Sequence, residues 1–127
     1  MGALTVILAA AAAWIFGALW YGLMGKAWME AAGLDPDKVN PRNPRPYLVS
    51  AICLVLVAGM MRHMFAQAGI DSPGKGFVAG LGIGLFLATP WIVTNYSFAG
   101  RPAKLSLIDG VYATGGSAIA GLVLTLL

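Results

Sequence analysis

The chain has 127 residues, of which 59% are apolar and only 10% are Asp, Glu, Lys or Arg, against roughly 45–50% and 25% in ordinary soluble domains. Its eight basic and five acidic residues are crowded into short stretches between long uncharged runs, and the mean hydropathy is +0.80. That pattern excludes a disordered chain, argues against a water-soluble domain and points to lipid as the solvent, while a net charge of +3 is too small and too local to argue for nucleic-acid binding.

Uncharged runs cover residues 1–25, 46–61, 76–100 and 110–127. A helix needs about 20 apolar residues to cross a hydrocarbon layer of roughly 30 Å, where backbone polar groups must be satisfied internally. The runs therefore predict an all-α membrane protein: a four-transmembrane-helix bundle of two hairpins in one integral membrane domain, residues 1–127. The spans are read at 4–24, 47–65, 77–97 and 105–127. The first contains an alanine run over residues 9–13, but no Lys or Arg precedes Lys26, so it reads as a mature helix and not as a cleaved secretory leader.

In the loop over residues 25–46, residues 26–32 are expected to continue as a short amphipathic turn. Gly33 suits a helix C-cap, and Asp35-Pro36 suits a turn or a new helix start. Pro41, Pro44 and Pro46 are read as forbidding regular helix. The loop is expected on the membrane surface, with Trp28 and Met29 dipping in. Lys38, Arg42 and Arg45 serve there as plain positive-inside anchors or face anionic lipid headgroups. In the second span, Arg62 and His63 interrupt the apolar run, and Arg62 is expected to snorkel to the headgroups. Ser72-Pro73-Gly74-Lys75-Gly76 lacks a full phosphate-loop motif and reads as a turn.

Association in lipid depends on close approach at small residues. Gly76, Gly80, Gly84 and Ala88 recur every four residues on the third span and should form a groove for a partner helix. The fourth span offers Ala113, Ser117 and Gly121. These faces serve intramolecular packing, self-association, or both. Pro90 removes one backbone hydrogen bond, so the third helix should bend near residues 86–90, with Thr89, Thr94 or water satisfying the freed carbonyl.

Lys26, Lys38, Arg42, Arg45, Arg101 and Lys104 fall in the loops after the first and third spans, against Arg62 and Lys75 on the other side. The positive-inside rule then puts both termini on the non-cytoplasmic side. An aromatic residue, a glycine and a cation recur at matching offsets in Tyr21, Gly25, Lys26 and in Tyr96, Gly100, Arg101. A duplicated hairpin with a pseudo-two-fold axis along the membrane normal and ordinary interfacial composition both account for this echo.

Asp109 is the acidic residue placed inside an apolar span, roughly 8 Å of helix rise beyond Lys104. Asn95, Tyr21, Trp20, Tyr96 and Tyr112 should lie in the same layer, with Arg101 and Lys104 as the nearest cations. Asp109 should accept hydrogen bonds from Asn95, a Tyr hydroxyl or a basic neighbour. The cluster is either a structural pin for the hairpin or a pocket handling a proton, an ion or a lipid headgroup. No catalytic constellation and no cofactor site is read. His63 stands alone, so no metal site is expected, and Cys53, the single cysteine, excludes an intrachain disulfide or dithiol pair.

GALWYGLMGKAW at 17–28 and NYSFAGRPAKLSLIDGVY at 95–112 resemble the two signature segments of a bacterial membrane family, domain of unknown function 1761. The resemblance covers nearly the whole chain and implies a small multi-pass inner-membrane protein without an established activity. Its motifs single out Trp20, Tyr21, Gly25, Lys26, Asn95, Gly100, Arg101, Pro102 and Asp109. The expectation is a non-enzymatic bundle in the bilayer that forms a homo-oligomer or serves another membrane protein as an accessory subunit. The alternative is a small transporter or channel in which Asp109 titrates.

Overall fold

A computed structural model describes residues 2–39 and 42–127. Pro41 lies outside the described residues. Four helices, α1 (Gly2–Ala32), α2 (Arg45–Ala68), α3 (Pro73–Phe98) and α4 (Ala103–Leu126), are long and apolar enough to cross a membrane, and the described residues contain no strand.

The helix ends follow local chemistry. α1 continues past residue 24, because residues 25–32 hold good helix formers and no interior proline. It stops at Gly33 (φ 73°), where the Gly33 N–H donates to Glu30 O at 3.2 Å and the Leu34 N–H to Met29 O at 2.9 Å. This paired arrangement satisfies the last carbonyls and calls for a glycine in the left-handed region. α3 ends in the same way at Gly100 (φ 70°), with the Gly100 N–H on Ser97 O and the Arg101 N–H on Tyr96 O. Pro46 does not exclude helix. It lies in the first turn of α2, where the leading N–H groups have no helical acceptor and a proline removes nothing.

α4 is the central helix. It packs along both α1 and α3, while α2 packs on α1, touches α4 lightly and makes no extended contact with α3. The spatial order is thus α2, α1, α4, α3. An apolar cleft of about 340 Å³ opens between α2 and α3, with Leu54 and Val57 on one side, Leu87 and Trp91 on the other, and Gly116 and Ala120 on its floor. A pseudo-two-fold relating the hairpins would require α3 to meet α2 as α1 meets α4, and the packing lacks that symmetry. The sequence echo differs structurally as well: Gly100 terminates α3, whereas α1 runs through Gly25.

The seams differ in kind. Ala9, Ala10 and Ala13 of α1 and Ala58, Met61 and Phe65 of α2 form a buried cluster joined by Ala120. Between α3 and α4 the backbones themselves meet: a methyl group at Gly76, Gly80 or Gly84 would overlap α4 at Gly121, Ser117 or Thr114. The glycine groove is therefore occupied within the chain.

Gly84–Ala88 forms a π-helical turn ahead of Pro90, where the bend was expected. The Thr89 hydroxyl donates to Gly84 O at 2.7 Å and lies 3.3 Å from both Gly110 O and Thr114 Oγ1. The wider turn inserts one residue into the four-residue rhythm. Thr89, and not Ala88, consequently continues the face that meets α4, while Ala88 lines the α2–α3 cleft.

Candidate functional site

The helical phase set by the π-turn carries down to the other end of α3. At 3.6 residues per turn, three turns from Gly84 would lead to Asn95, whereas the extra residue brings Tyr96 round to α4. The Tyr96 hydroxyl donates to Asp109 Oδ2 at 2.5 Å. From the other side, the Tyr21 hydroxyl on α1 donates to Oδ1, also at 2.5 Å. Asp109 is only 9% exposed. Burying a carboxylate is expensive unless its oxygens are paired, and here a phenol from a different helix meets each one at the separation typical of charge-assisted O–H···O bonds. One side chain of α4 thus fastens α1 and α3.

Aromatic packing holds the Tyr21 phenol in place. Tyr112 meets Tyr21 edge-on with centroids 5.2 Å apart, and Trp28 meets Tyr21 edge-on at 5.9 Å. Phe16 stacks on Tyr112 at 6.3 Å and on Trp20 at 6.5 Å. The Trp20 indole donates to Ile108 O at 3.0 Å. Two glycines make room for these rings reciprocally. A Cβ at Gly17 of α1 would lie 2.6 Å from Tyr112 Cε1, and one at Gly115 of α4 would lie 2.6 Å from Phe16 Cζ. Edge-on and offset ring pairs each contribute about 0.5–1.5 kcal/mol beyond area burial, so the surroundings fix Tyr21 as a donor before any ligand is considered.

Of the residues placed in this layer from the sequence, Tyr21, Trp20, Tyr96, Tyr112 and Asp109 come together. Asn95 does not: it is exposed and takes no part in the pairing of the carboxylate. Arg101 also points elsewhere, its guanidinium donating to Ala32 O at the C-terminus of α1 at 2.8 Å, where a cation complements the negative end of the helix dipole. Lys104 is exposed in the first turn of α4, away from the buried carboxylate. Ala113, Ser117 and Gly121 lie along the backbone contact with α3.

Sequence reasoning missed Phe16 and Trp28 as members of this cluster, while Thr89, named as a partner for a carbonyl near Pro90, does bond one, Gly84 O. The first two had a usable signal, since Phe16 and Trp20 are four apart and Tyr21 and Trp28 seven apart, placing the rings on one side of α1. Among the described residues no three His, Cys, Asp or Glu side chains gather as metal ligands. Chemically, the cluster can fasten three helices, with its carboxylate shielded by rings and already bonded at both oxygens.

A family model described as protein of unknown function (DUF1761) matches residues 4–125. No curated protein and no solved structure matches the chain.

Proposed function

We propose, from the premise that the chain belongs to the DUF1761 family, that it is a non-enzymatic multi-pass protein of the bacterial inner membrane, acting as a self-associating bundle or an accessory subunit. The observation that carries this reading is the closure of Asp109. Both of its oxygens are held by tyrosines from two other helices, which makes the buried acid a fastening and not an open relay. The end bearing Lys26, Lys38, Arg42, Arg45, Arg101 and Lys104 faces the cytoplasm in this reading, as the positive-inside rule favours, with both termini on the other side. The α2–α3 cleft supports self-association, because small residues on its floor allow a further helix to approach closely where lipid supplies no hydrophobic drive.

Reconstitution in proteoliposomes tests the reading. Wild-type protein is expected to give no proton or cation flux above empty vesicles and to bleach in more than one step when singly labelled, while Asp109→Asn unfolds more readily in detergent. Flux that Asp109→Asn abolishes would instead establish the transporter alternative. Single-step bleaching throughout would remove self-association and leave only the accessory role.

A further inference from the structure

At the end of the bundle opposite the Asp109 cluster, the last turns of α2 run beside the first turn of α1. A crevice of about 460 Å³ opens between them, and its composition is divided. Arg62 and His63 stand at its rim, while Val6, Ile7 and Val55 form apolar walls and Gly59 leaves the floor open. The Arg62 guanidinium does not hang free. It lies across the start of α1, with Cζ 2.8 Å from where a Cβ on Gly2 would be, so glycine at that position lets the fork rest over the crevice. The first turn of α1 contains no acidic residue. Lys75 pairs with Asp71 elsewhere on this end.

We infer that this crevice binds one anionic phospholipid, its phosphate between Arg62 and His63 and one acyl chain lying in the apolar channel. Three observations carry the assignment. A guanidinium fork matches phosphate geometry in two parallel hydrogen bonds, and the crevice supplies it with a second nitrogen side chain and no acid to compete. The distance from Arg62 down to Val55 is seven residues, roughly 10 Å of helix, so apolar wall continues below the charged rim in the direction an acyl chain would run. Simple snorkelling would need neither the channel nor the open floor at Gly59. The assignment requires the chain to lie in a bilayer but is independent of the accessory or self-associating role.

Native mass spectrometry of the full chain in detergent provides the test, with phosphatidylglycerol, phosphatidylcholine of the same acyl chains, or inorganic phosphate titrated in. Phosphatidylglycerol is expected to bind at a concentration about tenfold or more below phosphatidylcholine, as loss of charge-assisted bonds would dictate, with phosphate alone not retained. Arg62→Gln with His63→Gln should bring phosphatidylglycerol down to the phosphatidylcholine level. Gly59→Leu keeps both rim groups but fills the floor, and should weaken binding equally; Ile7→Trp on the exposed wall serves where Gly59→Leu fails to fold. Replacing Lys38, Arg42 and Arg45 by Gln at the other end should leave binding unchanged. Equal retention of the two lipids, a preference that survives the rim variant, phosphatidylglycerol binding left unweakened by the channel variants, or a preference that vanishes with the loop variant would overturn the assignment. Retention of phosphate alone would overturn the lipid component and reduce the site to an anion site.

Discussion

The α3–α4 seam and the α1–α2 seam solve the same problem in different ways. In the first, three glycines let two backbones touch, and the Thr89 hydroxyl, which donates to Gly84 O on its own helix, lies 3.3 Å from Gly110 O and Thr114 Oγ1 of α4. In the second, side chains mediate the contact: alanines face Ala58, Met61 and Phe65, and one indole, Trp14, donates to Tyr47 O at 3.2 Å in an exposed position. Since lipid tails are as apolar as leucine, the close approach of the first seam is the stronger means of association. The second is more tolerant, because flexible groups such as Met61 can adjust.

The sharpest way to break this comparison is on α3 itself. Gly80→Leu forces a side chain into the Ser117 carbonyl and should cost about 3 kcal/mol or unfold the bundle outright. Gly82→Leu, where nothing lies within 4 Å, should stay within roughly 0.5 kcal/mol. Denaturant unfolding in mixed micelles reads both, and equal losses would refute the backbone contact. A smaller effect separates the polar features of the two seams. Thr89→Val keeps the shape but removes the hydroxyl that faces Gly110 O and Thr114 Oγ1 of α4, at about 1–2 kcal/mol. Trp14→Phe, which removes an exposed bond on the other seam, should cost about 0.5 kcal/mol; a reversed order would place the polar anchoring between α1 and α2 instead.

The four long helices are legible from the uncharged runs alone, because hydrocarbon enforces helices of a minimum length. The glycine spacing on α3 likewise points to a close neighbour, although it does not say which helix. Three features are not legible by that logic. α1 extends through Ala32 because residues beyond the apolar run keep good helix propensity, which a search for apolar length overlooks. Pro90 announces an irregularity, but only the π-turn at Gly84–Ala88 determines by how much the helix is re-phased. That one inserted residue is why Tyr96 meets Asp109 while Asn95 faces outward and Thr89 replaces Ala88 at the seam. The basic residues drawn to Asp109 by charge alone answer to other constraints, Arg101 being held by the carbonyl of Ala32.

Asp109 is the point where α1 and α3 are tied to α4. A double-mutant cycle tests it most directly, combining Tyr21→Phe with Asp109→Ala, and separately Tyr96→Phe with Asp109→Ala, with unfolding free energies measured in the same micelles. A coupling of about 1–3 kcal/mol is expected in each cycle, because either single change leaves a buried polar partner unpaired. Additivity within about 0.5 kcal/mol in both would contradict the fastening and with it the reading of this acid as structural.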